Sequence, residues 1–251
     1  MTATITLDIR NLLIDLASRY ETPDFIVGDP SRWMHQVSGD ANREATAFVA
    51  SALSYGSRAQ FMPKIGLLLD YADGDMDRWL RNGNYRNRFA EGDKSCFYRL
   101  YNTDTMYGFF TAYHNLMQRH GTLGEYAASQ DSSNAFDAVT ATCRWFASQN
   151  ASVVVPKDNS SACKRLCMFL RWMVRNGSPV DLGLWASFID RRSLIIPLDT
   201  HVVSEAMKLG LLQSRCASMS AARRLSAVMA EVFPDDPLKG DFALFGFGVN
   251  H

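Results

Sequence analysis

Apolar residues return at helical spacing through most of the chain. Leu13, Leu16, Ala17 and Tyr20 mark one helix face near the start, and Ala47, Phe48, Ser51, Ala52 and Tyr55 mark another after the polar run DANRE. Ile65 to Tyr71 follows Pro63, a residue suited to the first turn of a helix. The stretches Met106 to Arg119 and Asn134 to Ser148 are again amphipathic, separated by a loop around His120 to Leu123 and the polar run SQDSSN. Strand-like text is confined to Val153–Val155 and Leu194–Ile196, each too short to found a sheet. The pattern predicts an all-α protein without internal repeats.

Two segments carry more detail. In ACKRLCMFLRWMVR, from Ala162 to Arg175, residues Leu166, Phe169, Leu170, Met173 and Val174 form a core face. Lys164, Met168, Arg171 and Arg175 fall on the opposite side, where surface solvation is the simplest expectation. In LIIPLDTHVVSEAMKLGLL, from Leu194 to Leu212, Asp199 stands at an N-cap, Val202, Val203, Ala206 and Leu209 form the apolar stripe, and Gly210 suits a left-handed C-terminal cap. As a cap alone, Asp199 contributes about 1 kcal/mol. The same carboxylate at the positive end of a helix also suits the stabilisation of developing positive charge.

The chain has 251 residues, 47% hydrophobic and 21% charged, enough for one large or two small globular domains. No run of 18 apolar residues is present and the N-terminal text has no export signal, so a cytoplasmic protein is expected. Five cysteines without a CxxC pair read as reduced thiols rather than a disulfide framework or a zinc site. None of His35, His114, His120, His201 or His251 has metal-binding spacing to a carboxylate or thiol, so neither metal nor cofactor is expected. The net charge is zero, so contact with a polyanion would need a local patch. Two stretches have six basic residues against two acids: Lys164 to Arg192, and Arg78 to Arg99. Such charge runs are usually solvated faces.

The segment PLDTHVVSEAMKLGL resembles the catalytic Asp segment of the helix-hairpin-helix DNA glycosylases, the superfamily of endonuclease III and the 8-oxoguanine glycosylases. In that superfamily a Lys opening the second hairpin helix is the nucleophile, and Lys164 is the matching position. ALSYGSRAQ, CKRLCMFLRWMVR, VDLGLW, IIPLDTHV and GDFALFGFG, between Glu44 and Asn250, also resemble a bacterial family known only as a domain of unknown function, with the archaeal 8-oxoguanine glycosylases as its nearest characterised relatives. The pattern departs from the superfamily in three places. The hairpin's GxG turn is replaced by NSSAC (Asn159 to Cys163), the interval from Lys164 to Asp199 is long at 35 residues, and only Cys216 lies beyond Asp199, so the iron–sulfur cluster of endonuclease III is not expected.

The resemblance implies a two-lobed helical fold with a cleft. One lobe would span residues 45–178 and end in the hairpin and the Lys-bearing helix; the other would combine 1–44 with 179–251 and carry the Asp. It implies Lys164 and Asp199 as catalytic residues and Arg171, Asp241 and Phe245 as substrate-binding residues. Tyr55 would stand near the groups that fill the gap left by an extruded base, and Ser160, Ser161, Arg165 and Arg175 would lie against the DNA backbone. The implied partner is damaged double-stranded DNA in a cytoplasmic, nucleoid-associated setting, and the implied activity is a glycosylase and abasic-site lyase acting through a Lys Schiff base. The resemblance puts 8-oxoguanine first and leaves other lesions open. A catalytically silent nucleic-acid-binding module, or a helical enzyme acting on free nucleosides, remains as an alternative.

Overall fold

The structure, a computed structural model, describes residues 5–250, with side chains through Gly248. It is all-helical apart from one small hairpin. The helices are α1 (Leu7–Tyr20), α2 (Arg32–His35), α3 (Asp40–Leu53), α4 (Arg58–Tyr71), α5 (Met76–Arg81), α6 (Thr103–His120), α7 (Leu123–Ser129), α8 (Ala135–Ser148), α9 (Lys164–Val174), α10 (Thr200–Lys208), α11 (Met219–Val232) and α12 (Lys239–Asn250). Strands β1 (Cys96–Tyr98) and β2 (Tyr101–Asn102) pair antiparallel. The strand-like text at Val153–Val155 and Leu194–Ile196 forms no strand; the second piece is extended and buried, and the Ile196 N–H donates to Ser226 Oγ on α11 at 2.9 Å. Pro63 lies inside α4 rather than in its first turn. No helix among the described residues is long and apolar enough to cross a membrane.

The chain divides into two compact units. The first combines Met1–Asp29, Ser133–Phe136 and Asn159–His251, and the second combines Pro30–Ser132 and Asp137–Asp158. This division differs from the expected one, because the Lys-bearing helix α9 belongs to the same unit as Asp199 and the C-terminal helix. The ends of the expected second lobe, residues 1–4 and 251, lie outside the described residues.

The second unit is built around α3, in which every residue from Glu44 to Leu53 is buried. Phe48 packs against Phe109, Tyr113 and Phe146, with ring centroids 5.0–5.9 Å apart. The one charged group in that buried run is satisfied at a helix start: Glu44 accepts the N–H groups of Leu123 at 2.8 Å and Gly124 at 3.2 Å, the first two residues of α7. A carboxylate there meets both the free amide donors and the positive end of the helix.

The first unit is built around α9. From Leu166 to Val174 every residue of this helix is buried, including the side thought to face water. Its terminal carbonyls are capped by the chain that follows: Trp172 O accepts from Leu182 N at 2.7 Å, and Met173 O from Trp185 N at 2.6 Å. Packed in the same unit, α12 lies against α1, α10 and α11. Its LFGFG text allows close approach to α1. A methyl group placed on Gly246 would fall 2.6 Å from Tyr20 Cβ and closer still to Tyr20 Cγ.

Gly246→Ala is therefore expected to lower stability by about 1–3 kcal/mol, the usual cost of forcing extra volume into a packed contact. Urea unfolding of the two proteins checks this; a difference within about 0.5 kcal/mol, the range of neutral surface changes, would mean that α1 and α12 are not held that closely.

Candidate active site

Two helix starts meet at one ion pair. Lys164 is the first residue of α9 and Asp199 the N-cap of α10, and Lys164 Nζ lies 3.2 Å from Asp199 Oδ2. The cap itself uses the other oxygen: Asp199 Oδ1 accepts the Val202 N–H at 2.9 Å. One carboxylate thus anchors α10 and still presents an oxygen to the amine. The Lys164 side chain is 38% exposed and that of Asp199 9%, so the amine is reachable from solvent while the carboxylate is largely enclosed.

The turn before Lys164 takes an unusual path without glycine. Cys163 has φ 45° and ψ 38°, the left-handed region that glycine adopts at no steric cost. Its side chain is buried, and its N–H donates to Ser161 Oγ at 3.4 Å. Ser161 in turn forms a backbone bridge with Ser218, the N-cap of α11. NSSAC therefore supplies a left-handed turn at the place where the superfamily pattern has GxG. Ser160 and Ser161 are exposed there, and Arg165 is half-buried.

Behind the ion pair lies a buried charge network. Arg171 donates through Nη1 to Asp241 at 2.5 Å and through Nε to Asp181 at 3.3 Å. Arg175 donates through Nε to Asp236 at 2.9 Å, through Nη2 to Glu21 at 2.5 Å and also to Asp181. The Phe242 ring lies beneath both guanidinium groups, 4.5 Å from Arg171 and 5.1 Å from Arg175.

Two guanidinium groups thus serve four carboxylates. Burial disfavours the charge on each Arg, but the surrounding carboxylates outweigh it, so Arg171 and Arg175 hold their protons more firmly than usual. Burial raises Asp181 above the ordinary range despite Arg171 and Arg175. Burial also pushes Asp241 up to about 6, against the pull of Arg171 and reinforced by the charges of Asp199 and Asp181.

The aromatic side of this region comes from α12 and the N-terminal segment. Phe245 is half-buried, 6.1 Å from the His201 ring and 6.1 Å from that of Phe25. His201 Nδ1 pairs with the Gly248 carbonyl at 2.9 Å, tying α10 to α12.

Residues 29–250 match the family described as "Protein of unknown function (DUF2400)". The chain belongs to the DUF2400 family. No curated protein and no solved structure matches it.

In this DUF2400 member the sequence-selected residues sort by position. Lys164 and Asp199 meet directly, Arg171 and Asp241 meet each other behind them, and Phe245 lies on the same helix as Asp241. Tyr55 belongs to the second unit, with Arg99 over its ring at 4.9 Å. The backbone-contact expectation for Arg175 is corrected: its side chain is 1% exposed and its guanidinium is engaged by three carboxylates, leaving no free edge for a phosphate. Sequence reading missed Glu21, Asp181 and Asp236 as partners of α9. The available signal was an Arg pair on a helix flanked by strongly apolar text.

The Asp241 shift has a measurable consequence. The folded protein keeps the Asp241 proton up to about pH 6, while an unfolded chain releases it near pH 4. Between these values the folded state binds more protons, so the contribution of this group to stability is present in acid and is lost as pH rises through the window. Asp181 acts in the same direction. Asp241→Asn is expected to flatten the fall in stability between pH 4 and 6 by an amount on the order of 2 kcal/mol, read from urea midpoints across that range. Identical slopes in the two proteins would remove Asp241 from the account.

Proposed function

We propose that this protein is a DNA glycosylase with an associated abasic-site lyase activity, acting on a damaged base in double-stranded DNA, with 8-oxoguanine as the first lesion to test. The observation that carries the reading is the Lys164–Asp199 pair: an accessible amine 3.2 Å from an enclosed carboxylate, each at the start of a helix. The resemblance of both segments to the helix-hairpin-helix glycosylases supports the same assignment. A cytoplasmic, nucleoid-associated place of action follows from it.

Chemistry on a base inside a duplex requires the nucleotide to leave the stack, at a cost of a few kcal/mol. Phe245, half-buried on α12, is assigned the stacking of the extruded base. Lys164 must give up a proton before it can attack; its side chain is open enough to pass that proton to solvent, which leaves the Asp199 carboxylate beside it ionised. The neutral amine then forms a bond to the sugar C1′ while the glycosidic bond breaks and the base leaves with the bonding electrons. The sugar passes through a state with developing positive charge, which the Asp199 carboxylate stabilises in a largely enclosed setting. Ring opening yields the Schiff base, and loss of a C2′ proton expels the 3′ phosphate and nicks the strand. Arg171 and Asp241 act from behind by holding α12 against α9.

A panel of lesion-bearing duplexes with wild-type protein, Lys164→Gln and Asp199→Asn tests this reading. Wild-type protein should release a base and, with borohydride present, give a covalent protein–DNA adduct. Lys164→Gln should lose the adduct. Asp199→Asn should slow base release by about 10²–10³-fold, the usual loss when one group stabilising transition-state charge is removed, while duplex affinity stays near wild type and α10 stays capped, since Asn caps about as well as Asp. Salt-dependent duplex binding without base release on any lesion would instead identify a silent nucleic-acid-binding module.

A further inference from the structure

The basic stretch from Arg78 to Arg99 lies in the second unit, and the structure sorts its charges. Arg81 is paired with Asp77, Arg78 with Asp75, and Lys94 with Asp104. Arg86, Arg88 and Arg99, together with Lys64 on α4, make no ion pair among the described residues. Arg86 lies over the fully buried Tyr85 ring at 4.7 Å. The other three lie over more open rings: Arg88 over Tyr71 at 4.7 Å, Lys64 over Phe97 at 5.1 Å and Arg99 over Tyr55 at 4.9 Å.

The three rings are half-buried and belong to two aromatic clusters that both include a residue of β1. Tyr55 touches Tyr101 on β2, which touches Tyr98 on β1; the next residue, Phe97, touches Phe89, which touches Tyr71. The β1–β2 hairpin supplies Tyr98 and Tyr101 to one cluster and Phe97 to the other. Its two-residue tip is Arg99 and Leu100, with Arg99 held in a left-handed conformation (φ 52°) and Leu100 73% exposed, more than any other large apolar side chain described. The tip is fastened down: the Tyr98 hydroxyl donates to the Tyr55 carbonyl, and Arg99 Nη1 donates to Gln60 at 3.0 Å.

We propose that this hairpin face is a DNA-contacting surface, on which Lys64, Arg88 and Arg99 meet phosphates and Leu100 reaches the bases. Unpaired cations over half-open rings suit a ligand that carries regular negative charge beside flat apolar groups, which is the chemistry of a nucleic-acid strand. A single apolar side chain at a rigid tip suits insertion at a base step. It suits an anionic membrane poorly, since binding there scales with buried apolar area and this face offers one exposed Leu. The choice of DNA over RNA rests on the glycosylase reading; the surface itself does not.

The test compares the full-length wild-type protein with Lys64→Gln/Arg88→Gln/Arg99→Gln and with Leu100→Ser. Fluorescence anisotropy would follow a labelled duplex and its single strand from low to moderate salt. Each duplex phosphate contact contributes about 0.9 to the slope of log affinity against log salt. The triple variant should therefore lose about 2–3 from that slope and at least tenfold in affinity at low salt, while its circular dichroism shows the helical fold retained. Leu100→Ser should lose a few-fold in affinity with no change in slope. An unchanged slope in the triple variant overturns the proposal, as does loss of binding to phosphatidylserine-containing vesicles with DNA affinity intact. Lys164-dependent base release alongside an unchanged slope would sink this surface and leave the glycosylase standing. The expected slope change without base release on any lesion would do the reverse.

Discussion

A helix buried on every side cannot carry an arginine without bringing its counter-charges inside. That constraint organises the first unit of this protein. Arg171 on α9 and Arg175 at its C-cap sit among Phe169, Trp172 and Met173, where an unpaired guanidinium would cost several kcal/mol of desolvation. The carboxylates that answer them come from four separate places: Glu21 just past α1, Asp181 beyond α9, Asp236 before α12 and Asp241 within α12. Each pairing fixes one segment against α9. The start of that helix, which carries Lys164, is thereby held in a frame whose parts cannot shift separately.

The frame is also overfilled with negative charge, and this reaches the candidate site. Burial makes Asp241 retain a proton more readily than an ordinary aspartate, against the pull of Arg171, and the charges of Asp199 and Asp181 add to that. The carboxylate facing Lys164 thus belongs to the same electrostatic group as the interior network. Where two guanidinium groups hold the interior together, a carboxylate at its edge remains available to an amine.

Much of this was legible in local text. The core face of α9, the cap at Asp199 and the left-handed Gly210 beyond α10 follow from spacing and from side chains that act within a few residues of themselves. The side of α9 bearing Arg171 and Arg175 was not legible as interior, because helical periodicity places a charge on a face without saying whether a partner waits there. The partners are remote: Asp241 is 70 residues from Arg171, and Asp236 is 61 from Arg175. The hairpin escaped notice because its strands, of three and two residues, are too short to show alternation. Charge counting failed for a related reason. Six basic residues in a stretch say little until those spent on the interior, those paired with a neighbour such as Asp77 or Asp104, and those lying over rings are told apart. The meeting of Lys164 with Asp199 needed the resemblance, since nothing within either segment points to the other.

The central claim is that Lys164 is the nucleophile of this site. Its most direct test is residue-level mapping by tandem mass spectrometry of the borohydride-reduced protein–DNA adduct after nuclease and protease digestion. The expected result is a sugar remnant on Nζ of Lys164 and on no other lysine. A remnant on Lys157, Lys208 or Lys239, with Lys164 unmodified, would contradict it.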